Sequence, residues 1–122
     1  MANEIDQYAL DYLKDHNILE PNEELLAYYD ATMSMDGTEA AILTTERILY
    51  HKANRTTAIH LEEVVDIQHR YESWTGDIIE VTSASGKTIK IVIAPLNQGE
   101  TFLNVLMKAW GRSREQKSKN KQ

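Results

Sequence analysis

Four histidines, His16, His51, His60 and His69, are the side chains in this chain best suited to holding a metal ion or moving protons near neutral pH. A metal site needs at least two of them to converge with a carboxylate. Their spacing argues against that. A reversal at Ala53-Asn54 sets His60 across from Arg47, leaves His51 near the other end of the same hairpin, and brings His69 about level with Arg55 on the next strand. Strand rise makes such separations roughly 10 Å or more, too far for one ion, so the histidines read as scattered surface residues.

The other chemical groups are no better placed. Glu62 and Glu63 are adjacent in a turn, where side chains diverge into solvent, and "ASGKT" (84–88) lacks both the spacing of a phosphate loop and a following helix. There is no cysteine, hence no thiol nucleophile, thiolate ligand or disulfide. The expectation is a chain with no catalytic, cofactor-binding or metal-binding residues, not an enzyme. One arginine stands out in "TTERILYHK" (44–52), where Arg47 opens an otherwise strand-like run. Its planar fork suits backbone carbonyls or a nearby acid such as Glu46 or Glu62, a structural role more than a chemical one.

Charge narrows the partners. The chain carries 13 Lys and Arg against 19 Asp and Glu, a net of −6. Arg112, Arg114, Lys117, Lys119 and Lys121 against Glu115 alone make residues 112–122 net basic by four, which leaves −10 on the rest. A body of that sign repels nucleic acid phosphates, so no nucleic acid partner is expected. The basic stretch reads as a disordered, solvated tail. No apolar run approaches the roughly 20 residues of a membrane span. The start, "MANEIDQYAL", has acids where a secretory signal would be basic, and a cytoplasmic location is expected.

The elements that must position these residues come in three blocks. Residues 1–20 form an N-terminal amphipathic helix and linker, with Ile5, Tyr8, Ala9, Tyr12 and Leu13 at helical spacing and Asn3 as N-cap. The stripe is narrow, fit to cover an open sheet edge in its own chain or in a symmetric neighbour. Residues 22–111 form the main domain. Seven short β-branched or aromatic runs, at 24–32, 40–45, 47–53, 55–61, 64–72, 77–83 and 87–94, are joined by turns too short for parallel crossovers. Alternation points Ile89, Ile91 and Ile93 inward, together with Ile48, Tyr50, Thr57 and Ile59, and leaves Arg47, Leu49, His51, Thr56, Ala58 and His60 outward. A helix from 97 to 110 closes the domain, with Asn97 and Glu100 in a capping-box arrangement. Residues 112–122 are the tail.

Seven antiparallel strands and one capping helix are the plan of the pleckstrin-homology superfold. The stretch "AAILTTERILYHKANRTTAIHLEEVVDIQHR", with "IHLEEVVDI" at 59–67, resembles the bacterial PH-like domains, and kinship with GRAM domains fits the same residues. The resemblance implies a mainly β, α+β fold: a curled seven-stranded antiparallel barrel or sandwich capped by the C-terminal helix, with the N-terminal helix added. It also implies a non-catalytic interaction module, open to self-association as an oligomer. Phosphoinositide, a ligand of many PH domains, is disfavoured because the first hairpin loop, "TMSMDGTE", has two acids and no base. The partner surface would use strand edges, Trp74 and Thr75 at a hairpin tip, and Tyr8, Tyr12 and Leu13 of the N-terminal helix. The expectation for Trp74 itself is a ring folded over the barrel end. The alternative is a peripheral membrane adaptor whose Arg112, Arg114, Lys117, Lys119 and Lys121 make weak contact with anionic lipid.

Overall fold

The computed structural model describes residues 7–31, 39–53 and 55–120. Helix α1 (Gln7–Asp15) precedes β1 (Leu25–Asp30), β2 (Glu39–Thr44), β3 (Arg47–Lys52) and β4 (Arg55–His60). A single 3-10 turn, Leu61–Glu63, leads into β5 (Val64–Glu72), β6 (Gly76–Ser83), β7 (Thr88–Ile93) and α2 (Gly99–Asn120). The strands form two antiparallel sheets, ordered β1-β2-β3-β4 and β5-β6-β7, rather than one closed barrel. The 3-10 turn interrupts the backbone ladder between β4 and β5, so each sheet keeps its own edges.

The main core lies between the sheets and α2. Alternation in β7 buries Ile89, Ile91 and Ile93, which meet Leu43, Ile48 and Ile59 from the first sheet and Phe102 and Leu106 from α2. The β3–β4 register is the one expected, with Ile48 opposite Ile59 and Tyr50 opposite Thr57. Thr57, however, is exposed, because β4 is an edge strand that enters the core only at Ile59 and not at its Arg55 end.

The outer face of the first sheet corrects the expectation more strongly. Leu49 is 0% and His51 2% exposed, and with Ala40 and Ile42 they form a second core beneath α1. Helix α1 therefore covers a sheet face of its own chain, not an edge. Leu13 is wholly buried there, Tyr12 packs beside it, and each buried aliphatic contributes about 2 kcal/mol. Local chemistry aims the helix. Asn17 takes a left-handed φ of 53°, its N–H bonds to the Lys14 carbonyl, and the Ile18 N–H reaches back to Leu13 O at 2.9 Å. This is a Schellman end, and its two apolar residues, Leu13 and Ile18, both enter the second core.

Arg47 locks the segment after α1 to the sheet. Its Nε donates to Glu23 Oε2 at 2.7 Å, its second nitrogen donates to Glu23 Oε1 and, at 3.0 Å, to the Ile18 carbonyl. Thr44 Oγ1 also donates to Glu23 Oε2 at 2.7 Å and accepts from the Arg47 N–H. The backbone carbonyl was foreseen; the acid is Glu23, neither Glu46 nor Glu62. Burial works to raise the Glu23 pKa, but hydrogen bonds from Arg47, the Glu20 backbone and Thr44, with the Arg47 charge, outweigh it and hold the carboxyl below its ordinary value.

Helix α2 begins at Gly99, where the N–H groups of Thr101 and Phe102 go to the Gln98 carbonyl, so the backbone of Gln98 takes the place expected for Asn97. It does not stop near Trp110. It continues to Asn120, through the stretch expected to be disordered, because Arg, Glu, Gln and Lys are good helix formers and no proline interrupts them.

Candidate interaction surfaces

Hairpin β5–β6 turns at Ser73, Trp74 and Thr75, and Gly76 follows with a φ of 101°. A Cβ at Gly76 would collide with the carbonyl of Ile93 and with Ala94 and Pro95, so glycine is needed for conformation and for space. That close approach sets the hairpin tip beside the β7–α2 loop. Leu96, on this loop, is 100% exposed with a φ of 69°, and Trp74 is 96% exposed. The expected folding of the Trp74 ring over the end of the strands does not occur, since the β7–α2 loop already occupies that space. Thr75 is exposed beside it, and Tyr71, at the end of β5, is 58% exposed.

Behind this tip His69 Nε2 lies 2.6 Å from Asp77 Oδ1. The Asp77 carboxylate also packs against Gly99, where a side chain would clash, and so faces the positive end of α2. The pair ties β5, β6 and the helix start together. Among the described residues, no three His, Asp or Glu side chains are arranged to hold a metal ion.

The histidines are less scattered than expected. His51 is buried, its Nδ1 2.8 Å from Thr56 Oγ1 and its Nε2 3.2 Å from the Tyr12 hydroxyl. His16 stacks on the same Tyr12 ring at 3.9 Å between centroids. Burial, and secondarily the charge on His16, push the His51 pKa below its ordinary value. Sequence reasoning missed this cluster because it placed the β3 outer face in solvent.

Of the C-terminal cations, Arg112 and Arg114 have described side chains, and these two lie in different surroundings. Arg112 lines a cavity of about 240 Å³ with Thr45, Glu46, His60 and Glu62, two acids against its one full cation. Arg114 lies over the Trp110 ring, 5.3 Å from its centroid. Lys117 and Lys119 belong to the backbone of α2, whereas Lys121 and residues 32–38 of the first hairpin loop lie outside the described residues. Leu13 and Tyr12 face inward, and the Tyr8 side chain is likewise outside the described set. Lys87 of "ASGKT" donates to the Ala58 carbonyl at 3.2 Å, binding the β6–β7 turn to β4.

Residues 19–108 match the model of a family described as bacterial PH domain. Among curated proteins none matches the chain.

Proposed function

The chain belongs to the bacterial PH domain family, and from that premise we propose that it is a non-catalytic module that binds protein, a second copy of itself included. The observation that carries this reading is the pair of bare apolar side chains, Trp74 and Leu96, held on adjoining loops by Gly76. Water-exposed groups of that size gain most when a partner's surface covers them. Lipid attraction through the C-terminal cations is less well supported, because Arg112 lines the same cavity as Glu46 and Glu62 and Arg114 is engaged with Trp110.

The test is affinity capture from the source cells by the full chain and by a Trp74→Ser/Leu96→Ser variant. The wild type should retain a discrete protein partner that the variant loses. Equal retention by both would overturn the assignment of this tip.

A further inference from the structure

Strand β5 is nine residues long and lies at the edge of its sheet, with β6 as its sole ladder neighbour among the described residues. Beyond Val64 every residue of it is exposed except the half-buried Ile67. An uncovered edge presents a row of backbone N–H and C=O groups that only another extended backbone pairs in register. Edges are usually blunted by proline, lysine or other charges, bulges or shortness; "VVDIQHRYE" has no proline or lysine and is long, its bulge is confined to its start, and its charges Asp66, Arg70 and Glu72 are of both signs. A bulge at Val65, and the Trp110 Nε1–H donated to the Val64 carbonyl at 3.2 Å, occupy only its beginning. The regular ladder from Asp66 to Glu72 is left open.

We propose that β5 pairs antiparallel with β5 of a second copy, about a two-fold axis through Gln68, joining two three-stranded sheets into one. The proposal rests on the reading of the chain as a self-associating module and names the surface. The charge pattern selects the axis. Centred on Gln68, Asp66 stands opposite Arg70 of the partner subunit, and symmetry repeats the contact. On the other face Ile67 meets the partner's His69, while Val65, in the bulge, lies outside the regular ladder. Arg70 is held 3.2 Å from Glu72 and Glu80 on the outer face, the same face as Asp66. Moving the axis to His69 would set Asp66 against the partner's Glu72 twice. Moving it to Ile67 would leave Asp66 against glutamine and Arg70 against valine. An axis between residues would join an inward face to an outward one.

The absence of cysteine makes the test clean. Opposed Cα atoms in an antiparallel pair lie about 4.5 to 5.5 Å apart, within disulfide reach. Gln68→Cys should therefore oxidise to a covalent dimer, and Thr88→Cys, on the far strand, should not. Sedimentation of the full chain over a dilution series should show a reversible dimer. Asp66→Arg or Arg70→Asp alone should weaken it about tenfold or more, and the two together should restore it. These side chains are exposed, so circular dichroism should report an unchanged fold. A chain that is monomeric throughout yet still captures a partner through Trp74 overturns the dimer and leaves the proposed function standing. A dimer indifferent to both single reversals, or not restored by the double, overturns this surface while self-association itself survives.

Discussion

The Glu23 carboxylate is closed to water, with Arg47 as its counter-charge. Removing one partner of such a pair leaves a buried charge unmatched, which costs about 3 to 5 kcal/mol. Arg47→Met and Glu23→Gln should each lower stability by that order in urea unfolding, and Arg47→Lys, which keeps the charge but loses the fork, should fall between them and the wild type. The pH dependence has a definite sign. Because the folded pKa of Glu23 is lowered, its contribution is complete above the ordinary value of 4.5 and is lost as pH falls through the lower folded value. Glu23→Gln should flatten that part of the acid unfolding curve. His51 acts at higher pH. Its folded pKa lies below the ordinary 6.5, so the unfolded chain takes up a proton first and stability declines as pH drops below 6.5. The groups facing His51 are Tyr12, Thr56 and His16. Protection of the α1 amides, corrected for the slower intrinsic exchange at low pH, should therefore be weaker at pH 5 than at pH 7.5, and equal protection at both would contradict the assignment. Trp74 is the opposite case: Trp74→Ser should move stability by less than about 0.5 kcal/mol, since almost all of the ring is already in water.

At the scale of elements, α1 belongs to the fold by virtue of the second core. Leu13→Ala should cost about 2 to 5 kcal/mol, read as a lowered urea midpoint, because its site among Ile18, Ile42 and Leu49 is closed. Asn17→Gly should be neutral or mildly stabilising and Asn17→Val should cost about 1 to 3 kcal/mol, since the Schellman end needs a positive φ. The sequence made the β3–β4 register readable, because alternation and the reversal after Lys52 agree on one pairing. It did not reveal that α1 covers a sheet face. The clue was in β2, where "AAIL" is continuously apolar: Ala41 and Leu43 point into the main core, Ala40 and Ile42 into the second. A strand apolar on both faces is one covered on both sides. The reach of α2 was hidden for another reason. "RSREQKSKN" has the composition of a solvated charge run and of an exposed helix alike, and only its continuity with the docked turns up to Trp110 decides between them.

At the scale of the whole molecule, two open sheets replace a closed barrel, and that is what leaves β5 uncovered. Alternation along β5 was legible; which of its edges would lack a neighbour was not, because pairing across a curled sheet depends on where closure fails. Among the described residues no helix is long and apolar enough to cross a membrane. The acidic balance of residues 1–111 and the stacking of Arg114 on Trp110 both weigh against a lipid-directed role. The most direct measurement is flotation of the full chain with anionic and with neutral vesicles, at low and at physiological salt. The protein-binding account predicts that the chain stays with the soluble fraction under all four conditions. Binding that requires anionic lipid and fades with salt, or insertion into neutral vesicles lost in Trp74→Ser/Leu96→Ser, would contradict it.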